Sequence, residues 1–192
     1  MTPSAATPAA SATPTASPSP WLENAMVVSL DGLSFAVDGV EGFLALDDAE
    51  GLRVFFADLT GSSPVESSIT DPFGGGDVMG VRYVWTEVSM TVLTPATVSL
   101  TVSAPRIAGV PVQTSSGLAV GDKRADIVAA GGWNEWDVDG DGEADWMGVD
   151  GRVVEGTESL VRAGEPGREY VMIEVGDRIE QISLPGNDFS DL

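Results

Sequence analysis

The stretch AMVVSLDGLSFAVDGVEGFLAL, residues 25–46, contains three short apolar runs separated by the dipeptides Asp31-Gly32 and Asp38-Gly39. Asp-Gly between apolar runs is typical of β-hairpins, because the favoured two-residue turns need residues that accept a positive φ. The stretch therefore predicts three consecutive antiparallel strands.

A helix is predicted directly after these strands. Asp47 and Glu50 have the spacing of a capping box, and Gly61 stands where a helix would end. The apolar residues between them repeat at helical spacing, which predicts one face packed on the core. This apolar stripe consists of Leu52, Phe55, Phe56 and Leu59.

The second half of the chain repeats the pattern of a helix and hairpins. A short helix is predicted from Asp122 to about Ala130, where Gly131-Gly132 would end it. The dipeptides Asp150-Gly151 and Gly176-Asp177 each predict a two-residue hairpin turn between apolar runs.

Together these elements predict an α+β fold of two small modules, each an antiparallel sheet with one short helix. The first module comprises residues 21–109, in which alternating apolar residues within 81–102 predict further strands. The second comprises residues 110–192. Residues 1–20 contain only Pro, Ala, Ser and Thr after Met1, so we expect a disordered linker there.

The composition excludes several classes of function. The 192 residues include no His and no Cys, which removes imidazole and thiolate metal sites, haem, iron–sulfur clusters, and Ser-His-Asp or Cys-His catalysis. The formal net charge of −21 repels phosphate backbones, so we expect no nucleic-acid partner. No apolar run approaches the length of a bilayer-spanning helix, and we expect no transmembrane segment.

The segment DVDGDGEAD, residues 137–145, is the most specific motif of the chain. Asp137, Asp139, Asp141 and Asp145 alternate with residues that include two glycines. Ca²⁺ takes roughly six to eight oxygen ligands, and a tight loop of alternating acidic residues supplies them. We expect these four side chains, together with the backbone carbonyl of Glu143, to bind one Ca²⁺.

This segment resembles the DxDGDGxxD loops of integrin-type propellers and thrombospondin repeats, and the first part of an EF-hand loop. Gly148 stands where an EF-hand has its bidentate Glu, which predicts weak binding with a Kd of roughly 10⁻⁴–10⁻³ M. Asn134 or Asp150 could complete the ligand shell. Clustered carboxylates repel one another without the ion, so the sequence predicts that folding is coupled to Ca²⁺ binding.

Three tryptophans flank the loop: Trp133, Trp136 and Trp146. Aromatic faces beside a cation could form a platform for a sugar, as in some carbohydrate-binding modules. Packing beneath the loop is the preferred interpretation, since large aromatic side chains more often bury their area.

Three parts of the chain resemble uncharacterised exported lipoproteins of high-GC Gram-positive bacteria: the linker, GLAVGDKRADIVAAGG (117–132) and LPGNDFSDL (184–192). The resemblance implies an extracellular or cell-surface location, with a lipid anchor in the full-length precursor, and no activity. The arrangement after residue 117 is also similar to the small α+β repeats of β-lactamase-inhibitor proteins. That likeness implies protein binding only at the level of the fold.

The sequence therefore predicts a monomeric, non-catalytic binding or scaffolding domain of the cell envelope, stabilised by Ca²⁺, with an unidentified protein or glycan partner. One alternative is a carboxylate-dependent hydrolase of envelope polymers, which needs two convergent carboxylates about 5–10 Å apart in a cleft. The other is a secreted inhibitor with an exposed aromatic patch or concave sheet for a basic enzyme.

Overall fold

The computed structural model describes residues 24–71, 76–93 and 97–189, and the predicted linker, residues 1–20, lies outside this part of the chain. The described residues form thirteen strands and two helices. The helices are α1 (Ala49–Thr60) and α2 (Arg124–Ala129). In chain order the strands are β1 (Ala25–Ser29), β2 (Gly32–Val37), β3 (Val40–Ala45), β4 (Val65–Thr70), β5 (Val78–Val84), β6 (Val88–Leu93), β7 (Thr97–Val102), β8 (Arg106–Ile107), β9 (Val110–Thr114), β10 (Trp133–Trp136), β11 (Trp146–Glu158), β12 (Pro166–Val175) and β13 (Ile179–Asn187).

The strands form two sheets. The smaller sheet has the order β3-β2-β1-β9-β8, and its β1–β9 pair is parallel while the other pairs are antiparallel. The larger sheet has the order β10-β11-β12-β13-β7-β6-β5-β4 and is antiparallel throughout. Sequence neighbours pair in most places, but β9 and β13 each join a strand from far along the chain.

The predicted α+β class is wrong, because the described chain is mostly β and its helices have only 12 and 6 residues. The sheets also do not follow the two predicted modules. β9 pairs with β1, and β13 pairs with β7, so both sheets contain strands from each side of residue 109. Local periodicity identifies strands, whereas the pairing of distant strands depends on packing that no local pattern encodes.

Hairpins form at three of the four predicted positions, and Asp38-Gly39 is the predicted two-residue turn between β2 and β3. The β1–β2 turn lies one residue earlier than predicted, at Leu30-Asp31, because Gly32 pairs with Ser29. Gly176-Asp177 belongs to a three-residue connection between β12 and β13, residues 176–178. The turn predicted at Asp150-Gly151 is wrong, since β11 continues through this dipeptide as one strand of 13 residues. Asp150 and Gly151 stand opposite the single residue Tyr170, which makes a β-bulge. Asp150 has φ 53°, and bulges and tight turns both use such conformations.

Helix α1 begins one residue later than the predicted capping box. Asp48, rather than Asp47, is the N-cap, and its Oδ1 accepts a hydrogen bond from the backbone N–H of Gly51 at 2.9 Å. Gly61 ends the helix in the left-handed conformation (φ 64°), as predicted.

One hydrophobic core contains residues of both sheets and both helices. Leu52 and Phe56 of α1 are buried in it, and the other two residues of the predicted apolar stripe pack against it, so the stripe is confirmed. Ring contacts fix the helix on both sides. The Phe55 ring lies 4.5 Å from that of Phe35 on β2, and the Phe56 ring lies 5.6 Å from that of Trp85. Such pairs contribute about 0.5–1.5 kcal/mol each beyond area burial.

Helix α2 is shorter than predicted. The Asp122 carboxylate accepts a hydrogen bond from the backbone N–H of Ala119 at 2.8 Å, so Asp122 closes the preceding turn instead of starting the helix. The Asp126 carboxylate accepts one from the backbone N–H of Lys123 at 2.9 Å, which satisfies a donor at the helix start. Neither α1 nor α2 combines the length and apolar character needed to cross a membrane.

Candidate metal centre

Residues 137–145 form the loop that joins β10 to β11 at one end of the larger sheet. Trp136 and Trp146 are paired directly across these two strands and bracket the loop. Because facing residues of an antiparallel pair lie within about 4.5–5.5 Å between Cα atoms, the two ends of the loop begin close together. Asp137 and Asp145, the first and last residues of the loop, are held there by this pairing.

Three carboxylates converge inside the loop. One oxygen atom from each of Asp137, Asp139 and Asp145 lies within 4.8 Å of the other two. Two oxygens bound to the same Ca²⁺ are separated by at most twice the Ca–O distance, which is about 4.6–5.2 Å. The spacing of these three oxygens is therefore compatible with one shared hard cation.

Backbone N–H groups orient the converging carboxylates. Asp137 accepts hydrogen bonds from Gly140 at 2.6 Å and from Gly142 at 2.9 Å, one on each carboxylate oxygen. Asp145 accepts one from Val138 at 2.6 Å, which ties the end of the loop to its start. Gly140 and Gly142 have φ of 77° and 95°, conformations that L side chains rarely adopt, so the two glycines permit the tight curve.

The other two predicted ligands do not belong to the converging set. The Asp141 carboxylate accepts a hydrogen bond from the backbone N–H of Glu143 at 2.8 Å. The Glu143 carboxylate lies 3.8 Å from Nε of Arg124 and is largely exposed. The structure thus brings together three of the five predicted residues through their side chains. Glu143 was predicted to act through its backbone carbonyl, which this ion pair leaves unaffected.

Arg124, the first residue of α2, fixes the end of the loop. Its guanidinium donates to the backbone carbonyl of Ala144 at 2.7 Å and to that of Val175 on β12 at 2.9 Å. The backbone N–H of Val175 in turn donates to the carbonyl of Asp145 at 2.9 Å. Sequence reasoning missed Arg124, because no local pattern relates it to a loop twenty residues away.

Asp150, one of the two residues suggested to complete the ligand shell, does not belong to the converging set. Asn134 lies in β10, opposite Met147 of β11. The Asp150 carboxylate accepts hydrogen bonds from Ser116, from the backbone N–H at 3.2 Å and from the hydroxyl. Asp150 therefore fixes the bulge of β11 onto the turn after β9.

Trp133 packs against the sheet, in agreement with the preferred interpretation. Its ring lies over two glycines of β11, Gly148 and Gly151, where a Cβ atom would come within 2.6 Å of the ring. It makes an edge contact with the Tyr170 ring at 5.6 Å, and its Nε1–H donates to the carboxylate of Glu135. Trp136 is 42% exposed, which makes it the most exposed of the three tryptophans beside the loop.

A second polar cluster, formed by Glu135, Arg162, Asp188 and Ser159, lies beside Trp133. Arg162 donates to Asp188 at 2.6 Å and to Glu135 at 3.3 Å, and the side chains of these two acids are 0% and 1% exposed. The Ser159 hydroxyl donates to Asp188 at 2.7 Å. No local pattern indicates this cluster, since Glu135 lies in β10, Ser159 and Arg162 lie in the loop between β11 and β12, and Asp188 follows β13.

The charges of this polar cluster shift two pKa values. Burial raises the pKa of the Tyr170 hydroxyl, and the negative charges of Glu135 and Asp188 raise it further. Burial acts to raise the pKa of Asp188 as well, but hydrogen bonds from the Arg168 backbone and Ser159, with the charge of Arg162, lower it overall. Asp188 is therefore ionised near neutral pH, and its charge is balanced by Arg162.

Comparisons of the chain with protein-family models, with curated proteins and with solved structures found no match.

Proposed function

We propose that this chain is a non-catalytic binding or scaffolding domain whose 137–145 loop holds one Ca²⁺. The observation that carries the proposal is the convergence of carboxylate oxygens from Asp137, Asp139 and Asp145 within 4.8 Å. Oxygen-only ligands favour hard cations, and Ca²⁺ tolerates the irregular geometry of a flexible loop better than Mg²⁺ does. Backbone carbonyls and water would supply its remaining ligands.

The buried acids of the second polar cluster are placed for a structural role rather than for hydrolysis. A hydrolase would need two carboxylates that a substrate can reach. Glu135 and Asp188 do approach the same Arg162, but their side chains are almost without solvent exposure and both bond to its guanidinium. Such an arrangement is suited to holding strands together.

We propose further that the domain works outside the cell, attached to the envelope through the segment before residue 21. Two features support this location: the uncharged Pro, Ala, Ser and Thr composition of residues 1–20, and a loop suited to the millimolar Ca²⁺ of extracellular fluid. The test is protease treatment of intact cells that express the full precursor. Complete protection of the domain in intact cells, with digestion after lysis, would refute a surface location.

The metal proposal is tested by thermal and urea unfolding with EDTA or with about 10 mM Ca²⁺. For a Kd of roughly 10⁻⁴–10⁻³ M, binding to the folded state alone raises the free energy of unfolding by about 1.4–2.7 kcal/mol. Tb³⁺ gives an independent readout, since Trp136 and Trp146 beside the loop can transfer excitation to a bound lanthanide. The absence of both a stability increase and Tb³⁺ emission would refute the site.

Matched variants assign the ligands. Asp139→Asn and Asp145→Asn remove a charged oxygen from the converging set, and we expect each to abolish the Ca²⁺-dependent stabilisation. Glu143→Gln should retain it, because this side chain faces Arg124. Glu155→Gln, an exposed carboxylate of β11 outside the loop, is the control for charge alone. Equal loss in all four variants would mean that Ca²⁺ only screens the net charge.

A further inference from the structure

Strand β3 forms an open edge of the smaller sheet, since in the part of the chain that the structure describes its only strand neighbour is β2. Alternate residues of an antiparallel strand direct their N–H and C=O groups toward the partner. The N–H of Leu46, just after β3, donates to the carbonyl of Asp31, just before β2. The backbone N–H and C=O groups of even-numbered residues in β3 therefore point toward β2. Glu41 and Phe43 therefore direct their backbone groups toward the open edge.

The open edge is apolar apart from Glu41, and it has no Lys, Pro or bulge to protect it. Val40 is 62% exposed and Phe43 is 54% exposed. Natural edge strands are commonly protected from pairing by Lys, Pro or a bulge. Strand β3 has the sequence VEGFLA and pairs with β2 in an unbroken register, so it has none of the three.

A groove adjoins this edge. It has a volume of about 370 Å³ and is lined by Ser34, Phe35, Ala36, Glu41, Gly42 and Phe43. The Phe35 ring occupies the space that a side chain at Gly42 would need, so the groove has an aromatic wall next to exposed backbone. An extended segment that pairs with β3 could place an apolar side chain there.

The charge around this edge selects the kind of partner. Residues 24–48 contain no Lys or Arg, and their acidic residues are Asp31, Asp38, Glu41, Asp47 and Asp48. Asp31 forms an ion pair with Arg152 of β11 at 2.7 Å, so the excess negative charge comes from the other four. A second copy of the chain would bring another net charge of −21 against this edge. Like charges across an interface oppose pairing, whereas basic side chains would be attracted.

We propose that the edge of β3 binds an extended, basic segment of another protein as an added strand, with an apolar side chain in the groove. Backbone hydrogen bonds to Glu41 and Phe43 supply affinity, and the groove and the carboxylates supply specificity. The edge proposal names the class of partner and therefore rests on the proposed function of a binding domain. It does not depend on Ca²⁺ binding.

The experiment measures fluorescence anisotropy with a labelled peptide of alternating Lys and Val. A peptide of alternating Lys and Gly carries the same charge but has low strand propensity. We expect the Lys-Val peptide to bind at least about tenfold more tightly, because only it adds stable strand pairing and apolar contact. Equal affinities would overturn the proposal and leave only attraction between opposite charges.

Two variants of the full chain locate the binding edge. Phe43→Pro and Phe43→Thr both remove the ring, but only Pro removes the N–H on the open edge. Phe43→Pro should weaken Lys-Val binding by about a further tenfold relative to Phe43→Thr, as expected for a lost hydrogen bond. Glu41→Lys, a surface change that leaves the fold intact, should weaken binding more than Glu155→Lys. Equal effects within either pair would overturn the proposal.

Three further results separate this proposal from its rivals. A doubling of molecular mass in solution that Phe43→Pro abolishes would mean that a second copy occupies the edge, and would overturn it. A Ca²⁺-dependent stabilisation that persists in Phe43→Pro, together with lost peptide binding, is the expected result. Failure of peptide binding in the wild-type chain with that stabilisation intact would overturn the edge proposal alone.

Discussion

The Arg162 guanidinium donates to Oδ2 of Asp188 at 2.6 Å, and the Asp188 side chain has no exposure to solvent. The same carboxylate accepts from the Arg168 backbone at 2.5 Å through its other oxygen. Asp188, which follows β13, therefore joins the end of that strand to the loop between β11 and β12 and to β12 itself. Both its oxygens and its charge are satisfied within the protein.

Asp188→Ala should destabilise the fold by about 3–5 kcal/mol, because it leaves the charge of Arg162 partly buried without its closest partner. The measurement is urea unfolding at neutral pH. The double variant Asp188→Ala, Arg162→Met should not recover the loss, because it leaves the buried carboxylate of Glu135 without its cationic partner. A loss below about 1 kcal/mol for the single variant would mean that solvent satisfies Arg162.

The lowered pKa of Asp188 predicts a specific pH dependence. Its folded value lies below the ordinary 3.8, so the unfolded chain binds this proton at higher pH than the folded chain does. The stabilisation is therefore complete above the ordinary value and is lost as pH falls through the folded value. The stability difference between the wild type and Asp188→Asn should shrink between about pH 5 and pH 2. A constant difference over that range would contradict the prediction.

The start of α1 can be tested with two adjacent acids. Asp48→Ala removes the cap that bonds to Gly51 and should cost about 1 kcal/mol of unfolding free energy. Asp47→Ala, the residue that the sequence pattern favoured, should change the free energy by less than about 0.5 kcal/mol. Denaturant unfolding of both variants is the measurement, and a larger effect at Asp47 would place the cap there.

Gly148 tests the packing of Trp133. A Cβ atom at Gly148 would lie 2.5 Å from the Trp133 ring, which is held by Tyr170 and Glu135. Gly148→Ala should cost about 1–3 kcal/mol through overpacking. At Gly176 the nearest atom is the end of the flexible Glu180 side chain, so Gly176→Ala is the control and should cost less. Similar losses for both variants would show that the ring shifts aside freely.

Local features of the fold could be predicted from the sequence, and long-range ones could not. The hairpins around Gly32 and Gly39 follow from turn chemistry within a few residues, and the stripe of α1 follows from helical spacing. The parallel pairing of β1 with β9 joins Met26 to Val112, and nothing local specifies it. Asp150-Gly151 shows the limit within a strand, since positive φ suits a bulge as well as a turn.

The candidate site divides in the same way. The loop motif predicted five ligands, and the side chains of three of them, Asp137, Asp139 and Asp145, do lie close together, because residues of one tight loop are already near one another along the chain. Arg124 and the cluster around Arg162 could not be predicted from the sequence. Their partners are far apart along the chain and come together only when the sheet is complete. The calcium occupancy, the envelope location and the partner stay predictions.

Strand β13 lies inside the larger sheet, between β12 and β7, although it follows every other described strand along the chain. During synthesis, the β-meander of β4 to β7 and that of β10 to β12 emerge before the strand that unites them. Until residues 179–187 have been translated, β7 and β12 each have an open edge where β13 will later pair. Both strands are exposed to misassociation during that time. Covering those two edges until β13 pairs with both would therefore limit misassociation of the unfinished chain.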